Sequence, residues 1–265
     1  MISPDDRVTY HIFGDAKEFL RMHNHLDTVF SLQEECEDRD SLIFHRTPWS
    51  EEHEVIQTAD RIIICEDDEF EGWNILWMLR AYYIVPGRID LRSNRKAPGL
   101  SYFGTNESIY SPEHILRTGL NAVAIAMNNL FRQEHPDALD WDDLPDYLRQ
   151  SKIAASEHMF TKVRILLSDE NISKLSFQAL AKAYRVYQEN IKDPALLDLY
   201  RQIEHQRWLR FYSYYNWTYG DTYDQGLRQD PRIRPYEQLT PKQQTHGDNA
   251  WELIGEIRLS EDEDS

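Results

Sequence analysis

Arg61-Ile62-Ile63-Ile64-Cys65, then Glu66-Asp67-Asp68, then the stretch from Phe70 to Ile84, decides the fold class of the first half. Three consecutive isoleucines favour a pleated, buried strand. Trp73, Leu76, Trp77 and Leu79-Arg80-Ala81 keep one apolar face at helical spacing, and Pro86-Gly87 ends it. Arg88-Ile89-Asp90-Leu91 is again strand-like, so the unit reads strand, helix, strand. Working outward, Val8 to Phe13 is a β-rich run ending at Gly14, and residues 17–29 carry Phe19, Leu20, Met22 and Leu26 at helical spacing. Leu42-Ile43-Phe44 and Leu100-Ser101-Tyr102-Phe103 add two more strands. Alternation of this kind predicts an α/β Rossmann-like domain with a small parallel sheet over residues 1–108.

After Gly104 the pattern turns helical, at 111–133, 145–165, 173–189 and 194–216. Ser111-Pro112-Glu113 and Asp193-Pro194 each offer a capping side chain followed by proline at the first helical position. Residues 109–260 are therefore expected to form a second, mainly α domain, ahead of an acidic tail at 261–265. Two segments of it match at an offset of 95 residues. Pro136 to Leu144, with Trp141, aligns with Pro231 to Leu239, with Tyr236, and the register continues to Ala155 and Ala250, then Met159 and Ile254. Each copy reads as an extended arm with an aromatic plug, then a helix. The degenerate copy spans 109–170 and the clear copy 195–260, with a ligand cleft expected between them.

The composition narrows the function classes. A net charge of −17 repels nucleic acid and anionic membrane, so bulk nucleic acid is not an expected partner. No apolar run is long enough to span a bilayer, and the polar start has no signal-peptide pattern. Two cysteines, Cys36 and Cys65, make no disulfide framework, and a cytoplasmic setting is expected.

Glu204-His205-Gln206-Arg207-Trp208, then Asn216-Trp217-Thr218-Tyr219-Gly220, then Asp230 to Leu239, resemble the ryanodine-receptor repeat. Its pattern is a His, a Trp, a Gly-Trp-x-Tyr-Gly turn, a His-Pro and a Pro-Tyr-x-x-Leu stretch. The likeness covers about residues 200–258. It departs at Asn216, where the family has Gly, and at Asp230, where it has His, so a ligand contact of that histidine does not carry over. Trp141-Asp142-Asp143-Leu144-Pro145, with Arg149 and Ser151, is similar to a segment that precedes the repeat in bacterial members. Some of those members begin with a TrkA-type nucleotide-fold domain, of which the first half looks like a divergent version. The resemblance implies sensing of a nucleotide-derived ligand, with a proposed place in anti-phage signalling.

Ligand contacts are expected from His205, Arg207, Trp208, Trp217, Tyr219, Arg228, Arg234 and Tyr236, with Trp141 and Arg149 from the first copy. The aromatics offer purine stacking or, equally, a small core. Residues 201–245 hold seven basic against five acidic side chains, a local reversal of sign that suits an anion pocket or a set of ordinary salt bridges such as Arg207 with Glu204. His205 reads as a core or capped histidine, since no nucleophile is placed beside it. No cofactor is expected: Gly14 follows the first strand, but the Gly-x-Gly-x-x-Gly fingerprint is missing. Glu66-Asp67-Asp68 sits where α/β folds place ligands and reads as a helix N-terminus or a divalent-metal site; His23 and His25 lack a third ligand. The leading expectation is a small-molecule sensor or sponge, its output supplied by a separate effector protein or by homo-oligomerisation. A metal-dependent nucleotide phosphodiesterase using Glu66, Asp67 and Asp68, and an acidic protein-interaction module, are the alternatives.

Overall fold

A computed structural model describes residues 7–98, 100–106, 121–169, 172 and 175–256. The expected helix start at Ser111-Pro112, the boundary near residue 108, residues 173 and 174 and the acidic tail lie outside the described residues. The chain forms two compact units. One is α/β, built from Tyr10–Ala16 and the chain from Leu42 onward; the other is mainly helical, built from Lys17–Ser41 and the chain from Asn121 onward. Lys17–Ser41 thus packs with the helical unit although it lies within the first half of the sequence.

In the α/β unit, β1 (Thr9–Phe13) pairs with β3 (Ser41–His45). A separate sheet holds β4 (Arg61–Ile64), β5 (Arg88–Arg92) and β6 (Ser101–Phe103) in that order. Both of its pairings are parallel, with Ile62 opposite Ile89 and Asp90 opposite Ser101. The five expected strands all form, but they divide between two sheets instead of building one. Helix α3 (Glu69–Tyr82) crosses over between β4 and β5, after the short α2 (His53–Thr58). Ile56, Ile64, Leu76, Leu79 and Leu91 close the core, each buried side chain contributing about 1.5–3 kcal/mol. Gly72 lets the helix approach closely: a Cβ there would stand 3.3 Å from Leu91 Cδ1.

In the helical unit, the expected helix over 17–29 is shorter, α1 (Lys17–Met22), followed by a 3-10 turn at Leu26–Thr28; β2 (Ser31–Leu32) comes next. The long helices are α4 (Ala122–Glu134), α5 (Asp146–Leu167), α6 (Phe177–Asn190) and α7 (Pro194–Tyr214). Two short ones, α8 (Pro241–Gln244) and α9 (Asp248–Glu256), close the described chain. The Asp193 carboxylate accepts the Ala195 N–H and Pro194 opens α7, as the sequence pair predicts. No described helix is long and apolar enough to cross a membrane.

Backbone hydrogen bonds follow the 95-residue offset. Ala138 to His135, Asp143 to Asp140, Leu144 to Trp141, Leu148 to Pro145 and Arg149 to Pro145 recur as Ile233 to Asp230, Gln238 to Pro235, Leu239 to Tyr236, Gln243 to Thr240 and Gln244 to Thr240. In each copy the aromatic opens a tight turn, and a helix starts five residues on, at Asp146 and at Pro241. The equivalent side chains of Met159 and Ile254 are fully buried in one core with Val163, Tyr187, Tyr200 and Trp251. At these positions the copies meet in packed side chains, so the cleft expected between them is not formed there.

Candidate functional site

The clear copy is organised by the end of α7. Tyr215 is its last half-turn, and Asn216 then takes the left-handed conformation at φ 60°. Asn216 N–H donates to Ser213 O and Trp217 N–H to Tyr212 O, the paired bonds of a Schellman stop. The apolar contact that accompanies such a stop is Trp217 edge-on to Tyr212, at 5.2 Å between rings. Asn216 is thus one of the few residue types other than glycine suited to this position. The loop that follows is pinned where Thr218 N–H donates to Arg228 O and Asp230 N–H to Thr218 O.

Most of the expected ligand aromatics are core. Trp208, Trp217 and Tyr236 are buried. Trp208 stacks on Tyr212 at 4.4 Å with the Arg232 guanidinium 4.9 Å from its ring centre, and the Tyr236 hydroxyl donates to Asp198 Oδ1. His205 is 3% exposed. Its Nε2 lies 2.8 Å from the Arg234 carbonyl, which can only accept, so Nε2 carries the proton and Nδ1 is a buried acceptor without a partner among the described residues. Burial lowers its pKa, partly offset by that carbonyl bond, so the ring is a neutral core histidine.

The arginines divide into two groups. Arg201 is held by Asp248, Arg207 by Glu204, Arg210 by Asp40 and Arg232 by Asp230. The salt-bridge reading of these four is what the geometry shows. Arg228 and Arg234 have no carboxylate within ion-pair distance among the described residues and donate instead to the carbonyls of Tyr215 and Pro231. Arg234 lies 4.5 Å from the ring centre of Tyr219, which is 47% exposed and whose hydroxyl donates to Asp221 Oδ1. Tyr219, Arg228 and Arg234 are therefore the members of the expected set with charge or ring face still available. Of the first copy's two residues, Arg149 pairs with Asp146, and Trp141 is half-buried, its backbone N–H donating to Asp140 Oδ1.

Two residues of this region, His246 and Tyr147, gave no individual signal in the sequence, and Asp230 stood out there only as a departure. Asp230 is 1% exposed and grips Arg232 through both carboxylate oxygens. His246 stands edge-on to Trp208 at 5.2 Å, in the 3-10 turn Thr245–Gly247 between α8 and α9. Tyr147 comes from α5 to meet Trp217 at 6.1 Å. The last two depend on contacts between distant segments, whereas Asp230 and Arg232 are two residues apart.

At the carboxyl ends of β4 and β5, the Asp68 side chain caps α3 by accepting the Phe70 N–H, and exposed Asp67 pairs with Arg92. Glu69 accepts from the Asn94 and Arg95 amides and from the Ser93 hydroxyl, which holds its carboxyl below the usual range. The acidic triplet is a helix N-terminus, and no group of three His, Cys, Asp or Glu able to hold a metal is present among the described residues. His23 is taken up by the Tyr214 carbonyl and stacks on the Tyr214 ring.

No protein-family model, curated protein or solved structure matches the chain.

Proposed function

We propose that the helical unit is a small-molecule binding module for a nucleotide-derived anion, which it senses or sequesters. Tyr219 and Arg234 make the contact, and Arg228 adds charge from the same loop region. The observation that supports this is the carboxylate-free pair, Arg228 and Arg234, with Arg234 stacked on the exposed Tyr219 ring. In a chain of net charge −17, guanidinium groups that meet carbonyls and an aromatic ring but no carboxylate keep their full charge for an incoming phosphate. The second face of Tyr219 is a platform for a base, a contact worth about 1–3 kcal/mol. The resemblance to the ryanodine-receptor repeat supplies the nucleotide part of the reading and its proposed place in anti-phage signalling.

A thermal-shift panel of mono-, di- and cyclic dinucleotides on the full chain tests this. At least one nucleotide is expected to raise Tm, with the rise lost in Tyr219→Ala and in Arg234→Ala. A folded protein whose Tm no nucleotide moves, or whose two variants respond like wild type, overturns the reading.

A further inference from the structure

The α/β unit holds a cavity of about 570 Å³, well within the range of small-molecule sites. It lies at the amino ends of β5 and β6, against the last turn of α3. This is the opposite end of the strands from the acidic triplet and from the carboxyl ends where such sheets usually take ligands. Leu79, Ile89 and Leu100 give it an apolar body; Arg80, Arg88 and Ser101 are its charged and polar groups.

Close contacts fix its walls. Gly87 runs against the backbone before β4, where a Cβ would stand 2.3 Å from the Ala59 and Asp60 carbonyl oxygens. Tyr83, on the far side, donates its hydroxyl to Ser50 O and stacks on His53. The charge is also set by construction. Asp90 is 3% exposed, and its one carboxylate is shared by Arg61 and Arg88, which leaves one positive charge over. Arg88 is held in place by Asp90 and the Ser101 hydroxyl. Arg80 is exposed and has no carboxylate within ion-pair distance among the described residues, so it adds a second positive charge. Its place in the last turn of α3 also offsets the partial negative charge of the helix end.

We propose that this cavity binds a small organic acid with a compact apolar body, its carboxylate held by Arg80 and Arg88 and its body by Leu79, Ile89 and Leu100. Arg88 is a donor already held by Asp90 and Ser101, and Arg80 is the exposed one without a carboxylate partner among the described residues. A guanidinium pair matches a carboxylate in shape as well as charge.

The test is a ¹⁵N–¹H NMR titration of the full chain with 3-phenylpropionate and, separately, with its neutral amide. The acid is expected to shift the Gly87, Ile89 and Ser101 amides with a Kd below about 1 mM, and the amide to bind at least about tenfold more weakly. Arg80→Gln, a change at an exposed side chain, is expected to weaken the acid about tenfold and leave the amide unchanged. Leu100→Trp, which fills the cavity, is expected to abolish both. Equal binding of acid and amide, shifts confined to other amides, an unaffected Arg80→Gln, or no shifts up to about 10 mM would each overturn the assignment.

Discussion

Lys162 and Glu204 show how strongly one pair of side chains can govern the helical unit. Lys162 is 0% and Glu204 2% exposed, their charged atoms stand 2.8 Å apart, and Lys162 also donates to Ala250 O. Burial pushes the Glu204 carboxyl up, but Lys162 and Arg207 outweigh it and bring it to about 2. Removing the ammonium would leave a buried carboxylate with Arg207 alone, so Lys162→Met should cost about 3 kcal/mol in urea unfolding. The exposed pair Lys192–Glu189 is the control, and Lys192→Met should stay within about 0.5 kcal/mol. Histidines govern the milder acid range. Burial, reinforced by Lys162 at His158 and by Arg232 at His246, lowers both from 6.5 to about 4. Between those values the unfolded chain binds protons that the folded chain does not, so stability falls as pH drops from about 6.5 to 4. Below about 4.5 the depressed Glu204 carboxyl extends the loss toward pH 2. His246→Gln should flatten the upper window by up to about 1.4 kcal/mol per pH unit, and an unchanged slope would show that His246 does not titrate as described.

Helices and turns carry the repeat, and they set a different kind of sensitivity. The five backbone bonds that recur at one offset make the aromatic turn a unit that the chain uses twice, although across their span only Pro136 with Pro231 and Leu144 with Leu239 are identical residues. Where α7 ends, Asn216→Ala places an alanine in the left-handed region and removes the side-chain bond to Met22 O; a loss of about 1–2 kcal/mol is expected, against less than about 1 for Asn216→Gly. In α9, a Cβ on Gly255 would stand 2.5 Å from the Tyr184 ring of α6. Gly255→Ala should therefore destabilise by about 1–3 kcal/mol, even though alanine gains about 1 kcal/mol in helix propensity. A more stable variant would mean that α6 and α9 give way easily. At this scale the sequence was highly legible. Asp193-Pro194, the isoleucine run at 62–64 and the register of Trp141 with Tyr236 all report local chemistry, which a linear reading can see. The division of the strands between two sheets, and the packing of Lys17–Ser41 with the helices, depend on pairings between distant segments and leave no local mark.

For the molecule as a whole, the decisive quantity is where positive charge survives in a chain of −17. Composition and spacing identify the window 201–245 as locally basic, and the arrangement of the folded chain then sorts its arginines. Four are neutralised by Asp248, Glu204, Asp40 and Asp230, and two, Arg228 and Arg234, are not. Burial likewise decides for Trp208, Trp217 and Tyr236 between the two readings their spacing left open, since a spaced aromatic carries the same signal in a binding site and in a small hydrophobic interior. The nucleotide anion is proposed to sit on Arg234 where it stacks on Tyr219. The most direct measurement is a calorimetric titration of wild type and Arg234→Ala, side by side, with adenine and guanine mono- and cyclic dinucleotides. Micromolar binding to wild type, weakened at least about tenfold in an Arg234→Ala protein that still unfolds cooperatively, is the predicted result. Absence of binding heat with every nucleotide, or the same Kd in both proteins, would contradict it.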